Sequence, residues 1–327
     1  FPHHQRPPTS SPEMRLYLSL ISCVFLSLVV VHAELPLNYD STVPNVAYLI
    51  TGLPRDFLID TCVYTSIHRT VIMGISGDGP FKHANPFVFM HFSVTRPEEL
   101  DVVYHEAWLA VEKLYSPVHV DFDPPGPVLD GEGSFLCARW AHDRDTPERL
   151  RVREVEQYVH IEESFDIALE YERTHNVTFD YFARLRFDVT FGRELPGLRE
   201  LYPPKDSTEF DKWYSPARTG GFESDQFALL PRSTAPRYFR IASSTFVHCN
   251  ETEHQEEVYP TGEVMVRKTM KGVPHAQLPT CWFFVKSFPF EIMGWSGQKE
   301  DESCLSQLEE LRSSCKPQFR TILLEER

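Results

Sequence analysis

Residues 179–191 read FDYFARLRFDVTF, and the fold turns on how this stretch is read. It is apolar enough to form a buried strand, yet it carries Arg184, Arg186 and Asp188 on alternate positions. Alternate side chains of a strand point to one face. Two guanidinium groups and a carboxylate therefore line up on one side of a sheet. Burying such charges is costly unless they pair or meet a ligand. Two readings fit: an internal Arg–Asp–Arg ion network, or the end of a central strand that reaches into a phosphate- or metal-binding site.

Outward from this stretch the chain alternates strand and helix. Residues 151–174 precede it and carry Val155, Val159, Ile161, Phe165, Ala168, Leu169 and Tyr171, the broad apolar face of a helix. Further upstream, residues 45–51 (NVAYLIT) form a continuous apolar run, as expected of a strand buried on both faces. Gly52-Leu53-Pro54-Arg55 follows at once. Glycine permits a tight turn and close approach to a ligand, and proline fits a first helical turn. Residues 55–73 place Phe57, Leu58, Cys62, Val63, Ile67, Val71 and Ile72 at helical spacing. Strand, glycine turn and helix open an α/β sheet, whose ligands bind at the carboxyl ends of the strands.

The spacing predicts a second strand over 86–94, a helix over 98–114 and a third strand over 117–122. His91, near the end of the second strand, reads as a packed core histidine rather than a ligand. Residues 123–148, rich in Gly, Pro and charge, read as an irregular surface excursion. Downstream come a Pro-rich loop (194–211), a short strand (212–214), a turn into a strand (224–231), helices over 233–244 and 258–270, and a strand-like run over 273–285. Residues 303–314 form a last helix. If it runs from Cys304 to Cys315, these two lie about 16 Å apart at ~1.5 Å per residue, too far for a mutual bridge.

Of 327 residues, 47 are acidic and 32 basic, a formal net charge of −15. That balance argues against broad electrostatic binding to nucleic acid. It leaves room for an anionic small ligand, since a few placed arginines invert the local field. Met14-Arg15, the apolar run 16–31 and Val31-His32-Ala33 have the form of a secretory signal peptide. An uncleaved signal anchor with the body in the lumen is the alternative. Residues 1–13 precede Met14 and are set aside from the fold. Outside that segment stand Cys62, Cys137, Cys249, Cys281, Cys304 and Cys315, which allow three disulfides in 15 connectivities. Asn176-Val177-Thr178 and Asn250-Glu251-Thr252 are glycosylation acceptors. The expected organisation is upstream residues plus signal over 1–33, a linker over 34–44, one α/β domain over 45–295, and a helical tail over 296–327.

Several chemistries are absent by motif. No phosphate-binding loop ending in Gly-Lys-Ser/Thr occurs, and Gly131-Glu132-Gly133 lacks the third glycine of a dinucleotide loop. His105-Glu106 lacks the second histidine of a zinc-protease helix, and Gly74-Ile75-Ser76-Gly77-Asp78 fails a nucleophile elbow at its last position. His248, Cys249 and His254 flank an acceptor site and read as a disulfide-bearing surface loop. Asp121-Phe122-Asp123 is a literal D-x-D, read as a solvated strand end before a Pro-rich loop. What remains is a set of groups at strand ends: Arg55, Arg184, Arg186, Asp188, Asp225 after a Gly-Gly turn, and Glu263 in a late helix. Arginine suits diphosphate because its fork makes paired charge-assisted bonds. One carboxylate can hold a divalent metal against the diphosphate, and a second can take a proton from an attacking hydroxyl.

VAYLITGLPRDF (46–57), FVFMHF (87–92), YFARLRFDVTF (181–191), GGFESDQFALLPR (220–232) and the region of Glu263 occur in an order that resembles a diffuse group of glycosyltransferase-like proteins. That group includes WavE-like lipopolysaccharide transferases and related eukaryotic secretory-pathway proteins. The resemblance implies a GT-A-like, Rossmann-type α/β mixed sheet flanked by helices in a single domain. It also implies a nucleotide-diphosphate sugar donor and a divalent metal, Mn²⁺ or Mg²⁺. The group's strand-G-x-x-R pattern falls on Gly52 and Arg55, and its R-x-R-x-D on Arg184, Arg186 and Asp188. Its G-G-x-x-D-x-F-A carries one extra residue here, ahead of Asp225.

Three functions follow from these residues. The first is a Golgi-lumenal or secreted glycosyltransferase acting on a glycan or glycoprotein hydroxyl. In it Gly52, Arg55, Arg184 and Arg186 hold donor phosphate, Asp188 binds metal, and Asp225 or Glu263 acts as base. The second is an inactive glycan- or protein-binding module on the same fold. The third, a hydrolase, needs two acids about 5–9 Å apart across a cleft, and no such pair stands out.

Overall fold

The computed structural model describes residues 36, 39–53, 57–58, 60–93, 105–122, 148–203, 211–216, 226–247, 262–278, 280–287, 290–294 and 302–314. Seven strands make the main sheet: β1 (Asn45–Gly52), β2 (Asn85–Phe92), β3 (His119–Phe122), β4 (Tyr181–Arg186), β6 (Trp213–Pro216), β7 (Phe227–Pro231) and β8 (His275–Leu278). Their order is β3-β2-β1-β4-β7-β6-β8. β1, β2, β3 and β4 run parallel, β6 and β8 run parallel to each other, and β7 is antiparallel to both of its neighbours. This is the expected single-domain, GT-A-like α/β fold.

Among the described residues the α-helices of four residues or more are α1 (Thr61–Ile67), α2 (His105–Tyr115), α3 (Glu148–His175), α4 (Leu198–Leu201), α5 (Ala235–Phe239), α6 (Gly262–Thr269) and α7 (Glu302–Ser314). α1 starts where Asp60 caps it, accepting the Cys62 amide, and continues through a π-helical turn over His68–Met73. The central strands are apolar on both faces because both faces are covered. On one face Val46, Tyr48, Ile50 and Leu185 pack with Val63, Ile67, Val71 and Val111 of α1, its π turn and α2. On the other, Ala47, Leu49, Phe89 and Phe182 pack with Tyr158, Ile161, Phe165 and Ala168 of α3 and with Tyr238 and Met265 of α5 and α6. Those α3 positions recur at helical spacing, which turns one stripe of a long, otherwise polar helix onto the sheet.

Two stretches read as single strands are each divided between two sheets. Residues 179–191 break at Phe187 and Asp188, and β5 (Val189–Phe191) leaves the main sheet to join β9 (Trp282–Ser287) and β10 (Phe290–Gly294) in an antiparallel sheet. Residues 273–285 likewise give β8 to the main sheet and the start of β9 to the small one. A continuous apolar run does not reveal that its two ends bury against different layers. The helix expected over 233–244 is α5 followed by a π-helical turn, Ala242–Val247, and α4 lies inside the stretch read as a Pro-rich loop.

α7 is fixed to the residue just before β9 by a Cys281–Cys304 disulfide, with Cα atoms 5.5 Å apart. It stands on a small apolar cluster of Cys281, Phe283, Cys304 and Leu308. Cys62 is also disulfide-bonded and packs against this cluster. At the other end of the sheet Glu172, almost fully buried, ties α3 to the residues just before β4 and just after β7. It accepts the Phe179 amide and the guanidinium of Arg232, whose second nitrogen lies 2.9 Å from Oε2.

Candidate functional site

Strand register arranges the side chains beneath α3 in rows. Phe87, Ala47, Phe182 and Leu230 lie abreast. One step towards the carboxyl ends of the parallel strands come His119, Phe89, Leu49, Arg184 and Ala228. The last row is Asp121, His91, Thr51 and Arg186. The buried stripe of α3 changes in step. Phe165 and Ala168 cover the apolar rows, and Ser164, His160 and Gln157 follow towards the helix start. An apolar interface thus becomes polar where α/β sheets bind their ligands.

Arg186 and Asp188 hold each other at this edge. Arg186 Nε donates to Asp188 Oδ1 at 2.7 Å and its NH2 to Oδ2 at 2.6 Å, while NH1 reaches Gln157 Oε1 at 3.2 Å. The pair is about a quarter exposed. Asp188 is not on the strand, as the alternation suggested. It sits in the turn beyond β4, and its carboxylate folds back onto the guanidinium. Arg184 shares the face of Arg186 but is fully buried between Leu49 and Ala228, and it donates to the Leu185 carbonyl.

Gly52 ends β1 beside this turn with φ +142°, and a Cβ there would stand 3.5 Å from the Phe187 ring. Its carbonyl accepts the Ser93 amide at 2.8 Å. Arg55 and Asp225 lie outside the described residues. Glu263 falls in α6, and its side chain is likewise outside them.

A second cluster lies at the same edge. The His91 ring stacks on that of His160, centroids 4.7 Å apart. His91 Nδ1 is 3.7 Å from Asp121 Oδ2, and His160 Nδ1 is 3.2 Å from the Ser93 hydroxyl. The His91 imidazole holds the half-exposed Asp121 carboxyl below its usual range, and burial pushes His119 down. Ligand atoms of His91, His160 and Glu163 lie within 4.8 Å of one another, and among the described residues this is the one group of three or more able to hold a metal ion. His91 is the packed core histidine of the sequence reading, buried at 3% exposure, but it is not alone, since His160 stacks on it. His160 and Glu163 went unremarked there, although His160-Ile161-Glu162-Glu163 sets them three apart on a helix, close in space.

No family model matches the chain, and no curated protein does. Among solved structures it is similar to the glycosyltransferase GlyE of Streptococcus pneumoniae TIGR4, at 11% identity and TM-score 0.36 over 72% of this chain and 45% of that one. It is similar to an active-site mutant of LgtC at 11% identity and TM-score 0.36, over 71% of this chain and 72% of that one. It is similar to the mannosyltransferase Ktr4p of S. cerevisiae at 12% identity and TM-score 0.29, over 92% and 70%. The chain spans less than half the length of GlyE. The strand order, rather than these likenesses, defines the fold.

Proposed function

We propose that this chain is a secretory-pathway glycosyltransferase that moves a sugar from a nucleotide-diphosphate donor to a hydroxyl of a glycan or glycoprotein. The observation that carries the reading is the Arg186 fork, held at the carboxyl end of the central strand by Asp188 and Gln157. Asp188 takes the Nε–NH2 edge of this guanidinium, so a diphosphate would meet its NH1–NH2 edge, which the pairing orients. Arg55, three residues beyond the Gly52 turn, is the second phosphate group. Arg184 is fully buried, so it adds positive charge from beneath rather than touching the donor. Asp225 stands two residues before Phe227, and Phe227 pairs with Leu185, next to Arg186. That topology supports Asp225 as the group that takes the proton of the acceptor hydroxyl, with Glu263 as the other candidate.

A divalent cation, Mn²⁺ or Mg²⁺, would add charge stabilisation to the leaving diphosphate. Asp188 is the candidate ligand: each of its oxygens accepts one Arg186 hydrogen bond and keeps a second lone pair, so a cation would share the carboxylate with the guanidinium. Asp188 also positions the arginine.

The Cys281–Cys304 disulfide supports an oxidising compartment. The apolar run 16–31 lies outside the described residues, among which no helix is long and apolar enough to cross a membrane. Its roles as signal or lumenal anchor both remain part of the proposal.

The test is a panel of nucleotide sugars, with and without Mn²⁺, read by melting temperature and by donor hydrolysis. Ligand at about 100 times its Kd stabilises by about 2.7 kcal/mol, or roughly 5–10 °C for a domain of this size. At least one donor is expected to reach that shift. If none binds or is hydrolysed, and Asp188→Asn changes only stability, the chain is a non-catalytic module.

A further inference from the structure

We infer that His91, His160 and Glu163, with Asp121 behind them, form a binding site for a divalent transition metal. This site is separate from the Arg186–Asp188 pair and does not depend on the transferase reading. Its parts come from three elements that the fold holds rigidly. His91 is on β2, Asp121 is its register partner on β3, and His160 and Glu163 are one helical turn apart on α3. The ligand atoms of the first three lie within 4.8 Å of one another. Closing them to bonding distances around one ion needs movements on the order of 1 Å, since nitrogen and oxygen ligands stand about 2.0–2.2 Å from zinc.

The chemistry of the set selects the ion. Two imidazoles and one carboxylate favour zinc, cobalt or manganese over magnesium and calcium, which prefer oxygen alone. Three protein ligands leave a coordination position for water or substrate. The surroundings fit the same reading. Metal-binding histidines are usually oriented by a polar partner at the other ring nitrogen. Here the Asp121 carboxylate lies 3.7 Å from His91 Nδ1 and the Ser93 hydroxyl 3.2 Å from His160 Nδ1. Both histidines are buried, at 3% and 5% exposure. A purely structural role for two buried, stacked imidazoles beside two carboxylates is the competing explanation.

The experiment uses the full chain, stripped with chelator and dialysed. Zn²⁺, Co²⁺, Mn²⁺ and Mg²⁺ are titrated separately, without any nucleotide, and bound metal is counted. One equivalent of Zn²⁺ or Co²⁺ is expected, with a Co²⁺ visible absorption spectrum of nitrogen–oxygen ligation, and Mg²⁺ should bind far more weakly. Glu163→Gln, the variant least able to disturb folding, and His160→Gln should each weaken binding at least tenfold. Asp121→Asn should weaken it about 10–100-fold, as loss of an orienting partner does. Asp188→Asn should leave it unchanged. Failure to bind any ion, or one equivalent retained by both Glu163→Gln and His160→Gln, would overturn the inference. Loss of binding in Asp188→Asn with retention in the other variants would move the metal to Asp188. Because no nucleotide is present, none of these outcomes depends on donor binding.

Discussion

Arg186 and Asp188 are joined by two hydrogen bonds, Nε to Oδ1 at 2.7 Å and NH2 to Oδ2 at 2.6 Å, across the turn that ends the central strand. Here the chain passes from β4 in the main sheet to β5 in the small one. The pair is therefore both a clasp across that turn and the anchor of a guanidinium at the sheet's carboxyl edge. A quarter-exposed bidentate pair lies between the surface and buried cases. Asp188→Asn should cost about 1–2 kcal/mol of stability. A double-mutant cycle with Arg186→Gln should show coupling of about 1 kcal/mol. Denaturant melts of the four proteins check this, and additive effects would mean that the fork does not hold in solution.

Gly52 should not tolerate a side chain. Its φ of +142° is a conformation that other residues rarely adopt, while the Phe187 ring, 3.5 Å from a Cβ placed there, is at ordinary contact distance, so the cost lies in the backbone. Gly52→Ala is expected to lower stability by about 1–3 kcal/mol through backbone strain. The loss should appear as a lower denaturation midpoint with an unchanged slope. A midpoint within error of the parent would show that the turn relaxes at no cost.

The Cys281–Cys304 disulfide closes a separation of 23 residues. Loops of this order gain about 3 kcal/mol from such a link. Cys304→Ser should therefore lose about that amount, and α7 should become more open to proteolysis than the main sheet. Equal protease sensitivity in the oxidised parent and the variant would contradict the role given to the link.

His68, in the π turn after α1, lies edge-on to the Tyr115 ring at 5.1 Å, and burial lowers its pKa. The unfolded chain then binds the proton more readily than the folded one. Its contribution to stability is fully present above the ordinary histidine value of about 6.5. It declines as pH falls below that value and levels off beneath the folded pKa. Melting temperatures of the parent and His68→Gln from pH 7.5 to 5 should show a shallower acid decline in the variant. Parallel curves would rule the group out.

Much of this was legible in the chain. Residues 45–51 read correctly as a strand buried on both faces, and the alternation of Arg184 and Arg186 placed both on one side. Alternation misplaced Asp188, because a turn and a strand step look alike when the carboxylate returns to the same arginine. It also could not tell Arg184 from Arg186, since one step of register separates a sealed row from an open edge. The pairing of His91 with His160 joins positions 69 residues apart, which only the packing of α3 over β2 brings together. The i, i+3 spacing of His160 and Glu163 was the local trace of that cluster.

The central claim is that Arg186 is the phosphate-binding group of a nucleotide-sugar site. Calorimetric titration of UDP and of GDP into the full chain, and into Arg186→Gln, tests it most directly. A charge-assisted hydrogen bond contributes about 1.5–3 kcal/mol. One of the two nucleotides should therefore bind the parent, and bind the variant about 10–100-fold more weakly. Binding of neither nucleotide, or equal affinity in parent and variant, would contradict the account.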